Sequence, residues 1–311
     1  MQKHLVHPVF INETANGFAN GGWDDELEGF WVAKFLTSME NELGQNIDTS
    51  STTIGNAELS STVKAVSKPE KRLWGYINIA NMYANSYAYD RGVESHLIKN
   101  SEWGAVAYLT HSRYGRNGTE VTINNNSTYM TGYGGNTVSA ASVDNTGIAA
   151  NQYKGQYGKL ASTTGNIYGV YDMSGGAYEY TAAYNKAYPQ TGGAYGGVGG
   201  NSNASYKPVS GSHYAYTIYG SSTKYATAYN NSVDINTISA FADFTSDGKD
   251  VSHMGDGIHE IWIGSSRGWF TDNVYCASST APMYYHGGRD ASGTGAGVFS
   301  TLSSSRNRWL C

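Results

Sequence analysis

Short aromatic or β-branched runs alternate along the chain with long polar stretches of Gly, Asn, Ser and Thr. A first strand is predicted over residues 29–35 (GFWVAKF), which are aromatic, β-branched and few. Residues 44–66 read as polar connection. Ser67-Lys68-Pro69-Glu70 has the form of a capping box, with Pro in the first turn and Glu70 placed to reach back to the Ser67 amide. Leu73, Tyr76, Ile77, Ala80, Ala84 and Tyr87 then recur at the spacing of one helical face. A second helix is predicted over 101–112, with Trp103, Val106, Ala107 and Thr110 on one side. Residues 115–165 read as loop around a short strand at 120–123, and so long a loop within one domain points to function. Residues 167–184 carry a turn and an aromatic segment, and 190–235 are irregular. Further short strands are predicted at 260–263, 269–270, 283–286, 298–302 and 308–310. No repeat of 20–50 residues is present, which excludes solenoids and propellers. The expectation is one α+β domain over 29–311, preceded by an extension over 1–28, with two helices, small antiparallel sheets and long irregular loops.

Composition narrows the classes. The 311 residues include 26 Tyr, 39 Gly and only 5 Pro, with 14% charged and 40% hydrophobic residues. That excludes a disordered chain, which would be richer in charge and proline and poorer in aromatics. No apolar run approaches 18 residues, so no membrane-spanning helix and no membrane insertion are expected. The first ten residues lack the basic-then-apolar layout of a secretion signal. A net charge of -5 without any Lys/Arg cluster argues against nucleic acid as a partner. Cys276 and Cys311 are too few for a disulfide framework or a cysteine zinc site; one disulfide and two separate thiols both fit. The Tyr, Ser, Gly and Asn excess suits a binding surface, but composition alone favours the plainer reading of a loop-rich β protein with aromatic-filled turns.

Individual motifs carry little chemistry. Asp24, Asp25, Glu26 and Glu28 form a solvated charge run with no apolar neighbours to raise a pKa. His253, Asp256, His259 and Glu260 are ligand types, but Gly255 and Gly257 make the stretch a turn rather than a metal-binding helix. Ser174-Gly175-Gly176 lacks the G-x-S-x-G spacing of a nucleophile elbow, since Asp172 stands at the first Gly, and reads as a turn. Nothing in the sequence proposes a catalytic constellation.

Residues 167–181, IYGVYDMSGGAYEYT, resemble the G-x-Y-D-M-x-G-N-x-x-E-W motif of the formylglycine-generating (sulfatase-modifying) family. Three more segments agree in order: GFWVAKF at 29–35 resembles the family's opening strand, NSEWGAVAYLTHSRYG at 100–115 its E-W-x-x-A-A helix, and YHGGRDASGTGAGVF at 285–299 its R-G-G segment, with His286 in place of Arg. NSEWGAVAYL, ASTTGN, YDMSGGA and AGVF together are similar to a phage and prophage branch of that family. The resemblance implies a C-type-lectin-like fold and a non-catalytic receptor-binding protein. Such a protein would be a phage tail-tip adhesin that recognises a bacterial surface protein or glycan. It further implies a place in the virion or on a bacterial surface, tail proteins as partners, a trimer, and a gene open to a diversity-generating retroelement. The alternative is a structural virion component of the baseplate or decoration type.

Catalytic family members carry paired cysteines in the final segment; residues 287–308 have none, so the resemblance implies no enzyme activity and no cofactor beyond a structural calcium at Asp172 with the Met173 carbonyl. The segment at about 265–308 interleaves aromatic and charged residues with Ser, Gly and Thr, the pattern of anchors set among adaptable contacts. Its predicted ligand-facing residues are Trp269, Tyr275, Tyr285, Arg289, Asp290, Thr294 and Thr301. Val298 and Phe299, with Trp31, Trp103 and Tyr180, are assigned to the core.

Overall fold

A computed structural model describes residues 7–10, 27–77, 79–135, 148–185, 225–229, 255–258, 268–274 and 283–304. The chain order of its regular elements is β1 (Thr37–Glu40), α1 (Thr52–Gly55), β2 (Lys64–Ser67), α2 (Ile79–Tyr89), α3 (Asn100–His111), β3 (Glu179–Asn185), β4 (Thr227–Tyr229), β5 (Met283–Gly287) and β6 (Gly297–Ser304). The class is α+β, with two helices longer than one turn and two small sheets.

Helix α3 lies within a residue of its predicted span. Glu102 accepts the Lys99 amide at 2.9 Å and so satisfies one of the free N–H groups of the first turn. Trp103, Ala107 and Thr110 are buried on one side, with Val106 half-buried beside them. α2 starts later than the capping-box reading requires. Ser67 instead closes β2, its hydroxyl accepting from the Phe35 amide and donating to the Phe35 carbonyl, both at 2.9 Å. Glu70 turns to a left-handed φ of 59°, and the amides of Glu70 and Leu73 bond the carbonyls of Thr131 and Tyr129. Leu73 and Ile77 are therefore core residues as their spacing predicts, but they sit on irregular chain ahead of the helix.

β1 and β2 pair antiparallel, from Thr37 opposite Ser67 to Glu40 opposite Lys64. The strand predicted at 29–35 is displaced: pairing begins at Thr37, and Trp31, assigned to the core, is 99% exposed. The second sheet runs β4-β3-β5-β6. Its pairings are antiparallel, in keeping with the small antiparallel sheets expected, except for β3 with β4, which are parallel. β5 and β6 stand where strands were predicted. The predicted strand at 120–123 forms no ladder; the neighbouring Asn124 makes a single bridge to Gly175. Residues 260–263 and 308–310 lie outside the described residues.

The core has two main parts. One joins β1, α2 and β3 through Leu36, Met39, Trp74, Tyr83 and Tyr180. The other lies between α3 and the β5–β6 hairpin and contains Trp103, Ala107, Val121, Ile258, Val274, Val298 and Phe299. Among the described residues, no helix is long and apolar enough to cross a membrane.

A buried ionic cluster anchors the start of α3. His96 Nε2 lies 2.9 Å from Glu102 Oε1, and the fully buried Lys99 ammonium is 3.9 Å away. Burial alone would raise the Glu102 carboxyl, but the charges of His96 and Lys99 outweigh it and hold it at about 2. Burial likewise opposes a charged His96, and Glu102 overcomes it, raising His96 above 6.5. A depressed carboxylate stabilises the fold above its unfolded value and loses that as pH falls from 4.5 towards 2. A raised histidine stabilises below 6.5 and loses that as pH climbs through its folded value. The stability difference between the native chain and Glu102→Gln should therefore peak between pH 4.5 and 6.5. On the acid side it should fall by roughly 3 kcal/mol, read from urea unfolding at a series of pH values.

Candidate functional site

The C-terminal segment around residues 265–308 builds two surfaces and an interior network. The first surface is a tight turn at 268–272. Gly268 N–H bonds the Asp272 carbonyl at 2.7 Å, and Asp272 N–H bonds the Trp269 carbonyl at 3.0 Å. Inside the turn Phe270 (φ 56°) and Thr271 (φ 75°) are both left-handed, a conformation that costs a non-glycine residue about 1 kcal/mol or more and persists only where surroundings enforce it. The enforcement is visible. Asp272 Oδ2 accepts the Phe299 amide at 3.0 Å, the Thr271 hydroxyl donates to the Thr294 carbonyl at 3.0 Å, and Asn273 exchanges backbone bonds with Gly295 and Thr301.

This turn holds two aromatic side chains at the surface. Trp269 is 39% exposed and meets Tyr108 and Phe299 edge-on, at ring distances of 6.1 and 5.1 Å. Phe270 is 41% exposed and stacks on His111 at 4.8 Å. His111 closes α3, and burial pushes its imidazole below 6.5 and so towards the neutral form. Thr294, exposed, completes this patch through its bond from Thr271.

The second surface is the loop from 288 to 292. Arg289 is exposed, with its amide on the Ser292 hydroxyl at 3.0 Å. Asp290, predicted to face a ligand, is instead only 4% exposed with its Oδ1 buried, and its amide bonds the Gly176 carbonyl at 3.0 Å. Both charges act on the half-buried Tyr129, which Tyr76 and Arg72 also approach; burial first, and then Asp290, raises the Tyr129 phenol. Arg289 and Asp290 thus face Tyr129 rather than joining Trp269.

Two more predicted residues face inward. Tyr285 packs between Tyr178 and Tyr180, at 4.6 and 5.6 Å, and burial drives its phenol well above the ordinary range. Thr301 is fully buried and bonds His286 Nδ1 at 3.1 Å. His286 Nε2 lies 2.9 Å from Asn100 Oδ1, an acceptor, so that nitrogen carries the proton and Thr301 donates to the other. The Thr–His–Asn arrangement has the order of a nucleophile, a base and an orienting group. Burial, however, pushes His286 down to about 3, and all three residues are sealed from solvent. A base that weak takes no proton from a hydroxyl near neutrality. The network fixes the β5–β6 hairpin to α3, helped by the His286 ring stacked on Trp103 at 4.9 Å. Tyr275 lies outside the described residues.

Asp172 does not suit calcium. Its carboxylate is filled by N–H donors: Asn124 Nδ2 at 2.9 Å, Gly132 at 2.9 and 3.1 Å, and Leu36 at 3.3 Å. A cation needs the free oxygens those donors occupy. The Met173 carbonyl oxygen and Glu179 Oε1 each lie 3.4 Å from where a Gly287 Cβ would stand. Glu179 Oε1 is buried without a hydrogen-bond partner, and burial, then repulsion by Asp172, raises that carboxyl well above 4.5.

Residues that the sequence left unassigned complete the picture. Phe270, Thr271 and His111 form the exposed patch with Trp269. Burial pushes Glu120 up to about 7 and Asp272 well above its ordinary value, with Glu120 adding repulsion to Asp272. No family model matches the chain, and no curated protein matches it.

Proposed function

We propose that the chain is a non-catalytic receptor-binding protein of a phage tail tip, with a C-type-lectin-like fold, that engages a protein or glycan on a bacterial surface. The observation that carries this reading is the turn at 268–272, which spends backbone strain to keep Trp269 and Phe270 half-exposed on a rigid α3–β6 base. Strain of that kind collects where a surface has a task, and exposed aromatics on a fixed frame are the commonest anchors of recognition. Thr294, exposed and tied to the turn by the Thr271 hydroxyl, supplies a polar contact beside them. The tail-tip setting and the host target rest on the resemblance of the four ordered sequence segments.

The test is binding of labelled protein to a panel of intact bacteria, beside the double variant Trp269→Ala/Phe270→Ala and the single variant Arg289→Ala. Strain-selective binding is expected, weakened at least tenfold by the double variant (about 1.4 kcal/mol or more) with an unchanged circular dichroism spectrum. Equal binding by the folded double variant would remove the site. Binding to no strain, with co-assembly alongside tail proteins, would establish a structural virion component instead.

A further inference from the structure

We propose that the Trp269–Phe270 patch takes an uncharged carbohydrate, stacked on the Phe270 ring and held at its edge by Thr294 and Asn273. The proposal rests on the receptor-binding reading above and narrows its ligand from a protein or glycan to one class. Two stretches of chain, 268–274 and 293–296, build the patch at the end of α3. The Thr271 hydroxyl on the Thr294 carbonyl, at 3.0 Å, and the Asn273 amide on the Gly295 carbonyl, at 3.1 Å, join the two. Phe270 lies nearly flat on His111, with ring centres 4.8 Å apart and 22° between the planes. One face of the ring is therefore covered, and its 41% exposure belongs to the opposite face and the edge. Trp269 stands edge-on to Tyr108, Phe299 and His111, so the two exposed rings share His111 as their backing.

Charge separates the ligand classes. Within 268–274 and 293–296 the one ionisable side chain is Asp272, which is 1% exposed and accepts the Phe299 amide. Burial holds His111 towards its neutral form. Past the end of α3, Arg113 stacks over the Tyr114 ring at 4.8 Å and bonds its hydroxyl at 2.6 Å, while the Arg116 guanidinium bonds the Glu120 carbonyl at 3.2 Å. Both cations are engaged within their own loop. A surface of this kind has no charge to pair with an acidic polysaccharide or a phosphate, and it lacks the Arg that commonly anchors a protein partner. It offers an open aromatic face with neutral polar groups at its side. A pyranose has the matching parts: a face of weakly positive C–H groups that settles on the negative face of an aromatic ring, and a rim of hydroxyls that donate and accept. The rim of the patch carries groups that do the same. Thr294 is exposed, and its bond from Thr271 uses the carbonyl rather than the hydroxyl. The half-buried Asn273 lays its side-chain amide against Gly295, where a Cβ would stand 2.3 Å from Nδ2. The left-handed backbone of Phe270 and Thr271 fixes these groups before a ligand arrives, which spares a neutral ligand the entropy of ordering them.

The test takes the bacterial strain that the native chain binds best and treats its cells either with proteinase K or with mild periodate, which cleaves the vicinal diols of sugars. Binding is expected to survive the protease and to weaken by about tenfold or more after periodate. It should change less than about twofold between roughly 0.05 and 0.5 M NaCl, because no charge pair is made. Polysaccharide purified from the same strain, split by anion exchange into neutral and acidic fractions, gives the direct measurement. The neutral fraction should retard the native chain in affinity electrophoresis. Phe270→Ala should weaken that retardation by about tenfold or more, and Thr294→Val, which removes a hydroxyl but keeps the shape, by about threefold or more. Phe270→Tyr keeps the stacked ring and should retain it. Binding lost to protease and kept after periodate would assign the patch to a protein and overturn the proposal, as would retardation by the acidic fraction alone. Neutral-fraction binding unchanged in Phe270→Ala and Trp269→Ala would put the sugar elsewhere and overturn it too. Binding to no strain would instead remove the receptor-binding reading, and the proposal with it.

Discussion

Replacing Asp172 with alanine is expected to lower the unfolding free energy by about 5 kcal/mol. The carboxylate binds three separate stretches of chain at once, through the Leu36 amide before β1, the Asn124 side chain, and the Gly132 amide. Alanine leaves those buried donors without an acceptor, at about 1–3 kcal/mol each, and no water reaches them cheaply. It also sits poorly on the backbone, since Asp172 has a φ of 67° that Asp and Asn tolerate better than Ala. Asp172→Asn should cost less, as it keeps the shape and one acceptor oxygen while turning an NH2 towards donors. The two replacements also differ in pH behaviour. Burial raises Asp172 to about 6 despite the donors that favour its charge. A raised carboxyl makes the fold relatively more stable as pH falls through 6 towards 3.8, because the folded state takes its proton first. The gap between the native chain and Asp172→Asn should therefore widen over that interval. Urea unfolding of the three proteins at pH 5 and pH 8 measures both effects. A cost below about 1 kcal/mol for Asp172→Ala would mean that these three stretches are not tied through this side chain.

Where periodicity and burial coincide, the sequence reveals the element: α3, β5 and β6 lie within a residue or two of their predicted spans. It fails where long-range hydrogen bonds override local signals. Ser67 has the neighbours of a helix cap, yet its hydroxyl serves Phe35, and Thr131 captures the Glu70 amide, so the helix starts only at Ile79. The site shows the same limit. In β6, Val298, Phe299, Ser300 and Thr301 are all buried, so both faces of the strand are covered and alternation cannot tell inside from outside. Thr301 is read as exposed for that reason. Trp269 and Phe270 read as a strand because two successive left-handed non-glycine residues leave no mark in composition.

Gly104→Ala presents a conflict between a local rule and a packed one, and packing is expected to win by about 4 kcal/mol. Gly104 lies inside α3, where alanine should gain about 1 kcal/mol over glycine from the smaller entropy loss. The new Cβ would stand 2.0 Å from the Gly255 carbonyl oxygen and 2.6 and 2.8 Å from the Asp256 carbonyl carbon and Cα. All three are backbone atoms, so no rotamer change relieves the overlap, and one chain must retreat by more than 1 Å to reach ordinary contact of about 3.5 Å. The turn at 255–258 is held by its buried Ile258, by the Asp256 carboxylate on the Ile258 amide at 2.8 Å, and by the His7 imidazole on the Gly255 carbonyl at 2.7 Å. The helix is held by the Trp103 indole, which donates to the Val298 carbonyl at 2.7 Å. Retreat on either side breaks buried contacts, which places the cost above the usual 1–3 kcal/mol of an overfilled core. Gly29→Ala, where a Cβ meets nothing within 4 Å, is the matched control and should change stability by less than about 0.5 kcal/mol. Denaturant midpoints of the two variants, at constant slope, decide the matter. A Gly104→Ala variant as stable as the native chain would mean that α3 and the 255–258 turn do not meet, and that the base beneath Trp269 is built differently.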